Sequence, residues 1–139
     1  MKSFKRITLL CIVGFISFML IDCSMQRVAE KRSGFQKSNL WAYYFYTDAD
    51  IRNAPRVTDD VYFLFQAQDG GKPQISSIVY SGHPDPALLR KYLQTLGYRP
   101  VSIVDGEERW EKPGVVTPAF YLGRDETNNH LVLSKTGYR

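Results

Sequence analysis

His83 and His130 are the only histidines in the 139-residue chain, and acid–base chemistry at neutral pH would start from one of them. His83 stands in Ser81-Gly-His-Pro-Asp-Pro86, where Asp85 is placed to orient the ring and make it a general base. A base acts only beside a nucleophile or a bound substrate. No Gly-x-Ser-x-Gly, no His-Glu-x-x-His and no phosphate-cradling glycine loop accompanies it. The same residues read more simply as a helix entry, with Asp85 accepting from free amides as N-cap and Pro86 suited to the first helical position. A small hydrolase or enzyme inhibitor built on the His83 loop therefore stands as the alternative to a non-catalytic reading, and no catalytic residue is assigned.

The acidic residues suggest metal or carboxylate chemistry only at first sight. Asp48-x-Asp50 has the opening spacing of a calcium loop, but Arg52 occupies the next ligand position and Asn53 the place of the obligatory glycine. Self-capping Asp and Asn side chains in a polar loop over 47–60 account for the same residues. Glu107, Glu108 and Glu111 read as charges on a solvated hairpin rather than a catalytic pair. Cys11 and Cys23 both precede Trp41, so the remainder of the chain has no thiol ligand, no thiol nucleophile and no disulfide. Neither a metal nor a cofactor is expected.

Aromatic surface is the remaining source of specific affinity. The chain has nine Tyr and eight Phe, and Tyr gives large contact area at small rotamer cost. Trp41-Ala-Tyr-Tyr-Phe-Tyr46 is rich enough in aromatics for a strand. Alternation would place Tyr44 and Tyr46 on one face and Tyr43 and Phe45 on the other. Tyr44 and Tyr46 are accordingly expected on the outer face, as contacts to a protein partner.

These residues need a scaffold, and the punctuation of the sequence predicts one. Val61 to Gln68 is apolar on both faces, Asp69-Gly-Gly71 supplies positive-φ residues, and Gln74 to Tyr80 returns, which is a hairpin pattern. Leu88, Leu89, Tyr92, Leu93 and Leu96 form the apolar stripe of a helix that Gly97 ends. Tyr98–Val104 and Glu107–Lys112 flank the tight turn Asp105-Gly106, and 117–122 and 130–134 form a last pair. The expected order is β-β-β-α-β-β-β-β. Short turns join antiparallel neighbours and the one helix makes the long crossover, so the fold class is α+β: a small antiparallel sheet with one amphipathic helix packed on it.

The N-terminal stretch has a different character. Lys2, Lys5 and Arg6 precede an uncharged run from Ile7 to Ile21, which spans about 22 Å as a helix. That length lies between a secretory h-region and a membrane-spanning helix. The predicted division is a signal anchor or lipoprotein-like signal over 1–23, a basic juxtamembrane linker over 24–40, and an α+β domain over 41–139. Leu20-Ile-Asp-Cys23 resembles a bacterial lipoprotein signal, and the resemblance implies that Cys23 is the lipid-bearing residue. Asp22 stands where that family has Gly, Ala or Ser, so an uncleaved anchor is the competing reading.

Charge separates the same segments. Residues 41–139 hold 11 basic and 12 acidic residues, so the net charge of +4 comes wholly from before Trp41. A nucleic-acid partner is not expected, since phosphate binding needs basic residues gathered on the folded surface. With the short basic N-terminus taken as the cytoplasmic end, the domain would face the periplasm or cell exterior. The sequence thus predicts a membrane-tethered, extracytoplasmic protein-binding module rather than an enzyme. Immunity-type and envelope accessory proteins share this build, by analogy of architecture alone.

Overall fold

The computed structural model describes residues 1–137. Helix α1 (Lys2–Ala29) takes up the whole uncharged run and continues beyond it, 28 residues in one piece and about 42 Å long. None of residues 1–21 is buried. By length and composition α1 can cross a membrane.

Short helices α2 (Leu40–Phe45) and α3 (Ala49–Arg52) follow, then strands β1 (Val61–Gln66) and β2 (Ile75–Tyr80). Helix α4 (Ala87–Thr95) leads to β3 (Arg99–Val104), β4 (Glu107–Lys112), β5 (Val115–Asp125) and β6 (His130–Thr136). The strands form one antiparallel sheet in the order β1-β2-β6-β5-β4-β3. The domain is α+β. The crossover through α4 carries the chain from β2 to the far edge, and the β3-to-β6 meander brings it back beside β2. The turns follow their sequence signals: Asp105 and Gly106 both have positive φ, 51° and 83°, as a type I′ turn requires.

Packing is one-sided. Phe63, Ile78, Leu133 and Leu122 lie in register across four strands and form the middle of the core. Tyr43 of α2, Ile51 of α3 and Leu89 and Leu93 of α4 close over it. The opposite row, Leu64, Ser77, Ser134, Tyr121 and Arg109, is more polar and carries its own side-chain bonds. Asp85 accepts from the Ala87 N–H at 2.9 Å, while the N-cap position of α4 itself is Pro86. Leu88, expected in the buried stripe, is exposed.

Two expectations are corrected. The strand over 41–46 is helix α2, and the sheet order begins at Val61 rather than at Trp41. Asn39 starts α2 by accepting from the Ala42 N–H at 3.2 Å. Six residues do not hold a helix by themselves; burial of Ala42 and Tyr43, the latter edge-on to Phe63 at 5.1 Å, holds this one. The loop over 47–60 likewise contains α3, capped by the Asp48 carboxylate, which accepts from the Asp50 N–H.

The basic stretch over 24–40 is also ordered differently from a free tether. Its first six residues continue α1, and Ala29 is fully buried. Phe35 is 5% exposed and pairs with Phe63 through two main-chain hydrogen bonds, 2.9 and 2.8 Å, along the outer side of β1. Gly34 makes this approach possible: a Cβ there would stand 2.5 Å from the Phe63 carbonyl oxygen, and its φ is +72°.

Candidate functional site

Two places combine exposed apolar residues with fixed geometry: the junction of α1 with α2, and the free edge of the sheet at β3.

At the junction, α2 is apolar all round. At 100° per residue Ala42, Tyr43 and Tyr46 share the side facing the core, while Leu40, Trp41, Tyr44 and Phe45 share the other. The Trp41 ring lies against Phe18 of α1, with centroids 5.8 Å apart, and against Phe45 at 4.9 Å. Among the described residues its buried indole N–H has no hydrogen-bond partner. Leu40, Tyr44 and Phe45 are exposed. Arg52 lies over the Tyr44 ring, 5.4 Å from its centroid, and donates to the Tyr44 carbonyl at 2.7 Å.

Tyr46 connects the domain to α1. Its ring packs on Phe65 and its hydroxyl donates to the Asp22 carboxylate at 2.5 Å. Burial, and then the hydrogen bond to Asp22, push the phenol pKa well above its ordinary value. Tyr44 and Tyr46 are therefore not a pair on one strand face: two residues apart on a helix they point to opposite sides, Tyr44 to solvent and Tyr46 toward α1. The signals that mark this junction were Asn39 as a cap and an aromatic run too apolar to have a solvent face. Cys23 is exposed on α1, one residue beyond Asp22. Cleavage before it would remove both Asp22 and Phe18 from the junction.

The acidic residues of α3 meet a cation of the protein's own. Lys135 Nζ, on β6, lies 3.1 Å from Asp48 Oδ1 and 2.7 Å from Asp50 Oδ2. Burial lowers the ammonium pKa, but the hydrogen bond to Asp50 and the charge of Asp48 outweigh it, and the net shift is upward. This cluster ties α3 to the sheet, a long-range pairing that no local spacing announces. His83, in turn, is exposed and stands 3.1 Å from the Arg124 guanidinium. Arg124 also donates to the Pro84 carbonyl, while Asp85 accepts from the Ala87 N–H at the start of α4. Among the described residues no hydrogen bond joins Asp85 to the His83 ring.

The sheet ends differ. Phe35 covers the outer side of β1, whereas all six residues of β3 are exposed. Ile103 is 75% exposed, and Val101 and Val104 of the same strand add exposed apolar surface. Arg99, Pro100 and an irregularity between Pro100 and Ser102 blunt the first half of this edge. Ser102 to Val104 remain regular. Between the end of α1 and β1–β2 lies a wide groove of about 790 Å³ with mixed walls, including Gln26, Glu30, Lys31, Leu64, Gln66 and Ser77.

What the architecture defines is a class: an α+β domain mounted on the end of a long apolar helix. No protein-family model, curated protein or solved structure matches the chain.

Proposed function

We propose that this chain is a membrane-tethered protein-binding module, with α1 crossing the bilayer, the domain outside the cytoplasm and a role in binding rather than catalysis. The observation that carries the reading is the asymmetry of the sheet. At one edge Phe35 pairs with Phe63 in the middle of β1, and the other presents β3 with every residue exposed and Ile103 outermost. An extended segment of a partner protein can pair with Ser102–Val104 through main-chain hydrogen bonds while Val101, Ile103 and Val104 supply apolar contacts. The bonds of the domain to α1, through Tyr46 and Trp41, support a fixed mounting of this edge relative to the tether. Tyr46 is occupied by Asp22, so the proposed surface is β3 and not the Tyr44–Tyr46 pair.

Site-specific photocrosslinking in native membranes tests the proposal. A photoreactive side chain at 103 should give a discrete adduct that the same group at 126, in the β5–β6 turn, does not give, and Val104→Lys should reduce it. Equal adducts at both positions, or none at 103, would remove β3 as the binding surface. Recovery of the full chain from the soluble fraction would remove the tether.

A further inference from the structure

We infer that α2 is an interfacial membrane helix: Leu40, Trp41, Tyr44 and Phe45 lie in lipid at the boundary between hydrocarbon and headgroups. The domain is thereby held against the bilayer in one orientation. This rests on the proposal that α1 spans the membrane, and it assigns a second lipid contact that the tether alone does not require.

Depth comes first. Phe18, which the Trp41 ring touches, lies three residues before Ile21, the last of the uncharged run, or about 4.5 Å along the helix axis. Asp22 follows, and Tyr46 satisfies its carboxylate. If the run occupies the hydrocarbon, Trp41 sits within the outermost turn of α1's apolar length. That is the level at which Trp and Tyr concentrate in membrane proteins, their rings in the apolar boundary and their polar atoms toward headgroups.

Composition and charge agree. The outward side of α2 carries four apolar or aromatic residues and no charge, and it adjoins the exposed apolar surface of α1 without a break. In water such a face would be a liability. Arg52 lies over the Tyr44 ring on this face, and the segment that joins α1 to α2 adds Arg27, Lys31, Arg32 and Lys37, basic residues suited to anionic headgroups. The lipid interface satisfies all of these features at once.

The test uses the full chain in phosphatidylcholine–phosphatidylglycerol vesicles containing lipids brominated either near the headgroup or deep in the acyl chain. Trp110 is buried in the core, so the difference between wild type and Trp41→Phe isolates the Trp41 emission, and unchanged Trp110 emission shows that the variant folds. The expected result is blue-shifted Trp41 emission, strongly quenched by shallow bromines and less by deep ones. Trp41 emission quenched by aqueous iodide and by neither brominated lipid, with the chain still floating with the vesicles, would overturn the inference and leave the tether intact. Loss of lipid quenching as protein is raised at fixed lipid would overturn it in favour of a second copy covering α2. Failure to float would overturn the tether and the inference together.

Discussion

The Tyr46 hydroxyl donates to the Asp22 carboxylate across 24 residues of sequence, at the point where α1 leaves its exposed apolar stretch and meets the domain. Tyr46→Phe keeps the ring on Phe65 and removes only the hydrogen bond. Full-length protein in micelles should lose about 1 kcal/mol of stability, and the amides of residues 22–29 should exchange faster with solvent. Unchanged exchange in that segment would mean that Tyr46 does not hold α1.

Truncation separates the tether from the core. A chain beginning at Ser24 retains Ala29 and Phe35 and should be soluble and unfold cooperatively. One beginning at Ser38 loses the Phe35 ring and its main-chain pairing with Phe63, and should be less stable by about 3 kcal/mol or more in urea. Equal midpoints would show that residues 24–37 do not belong to the folded unit.

Lys135→Met leaves Asp48 and Asp50 facing one another without the ammonium between them. The expected loss is about 2–4 kcal/mol, because the surviving carboxylates are partly buried. Adding Asp50→Asn should recover part of it, while Asp48 keeps its cap. Failure of the double variant to improve on the single one would show that packing of the lysine stem, not charge, is what was lost.

Alkaline pH should unfold the domain early. Burial, and then the charges of Asp50 and Asp48, push the Tyr92 phenol up to about 12, while burial pushes Tyr80 higher still. Unfolded phenols ionise near about 10, so between those values the folded state holds protons that the unfolded state has released, and stability falls as pH rises. Lys135 acts with the same sign. Its raised folded pKa makes a contribution that is complete below about 10.4 and is lost as pH climbs through the folded value. Urea midpoints measured from pH 9 to 12 should drop, and Tyr92→Phe should flatten the decline. A flat profile for wild type would contradict the burial of these phenols.

Several elements were legible because their instructions are local. Asp85, Pro86 and the leucine spacing specify α4 within about one helical turn of each residue, and Asp105-Gly106 specifies its hairpin with two positive-φ residues. The 61–80 hairpin follows likewise from two β-prone runs on either side of a glycine turn. Fold class followed from these turns, since strands joined by short turns pair antiparallel.

The candidate site was not legible, and α2 shows why. Residues 41–46 are apolar at every position, so neither a period of 2 nor one of 3.6 stands out, and aromatic propensity alone favours a strand. The helix wins because Ala42, Tyr43 and Tyr46 then face the core and the end of α1 while Leu40, Trp41, Tyr44 and Phe45 face outward. That choice depends on Phe18, Asp22, Phe63 and Phe65, residues that only folding brings near. The bond between Lys135 and the two α3 carboxylates spans more than eighty residues for the same reason. Composition and turn chemistry were sufficient for an apolar helix followed by an antiparallel α+β domain; tertiary packing alone decided how the two are joined and which edge of the sheet stays open.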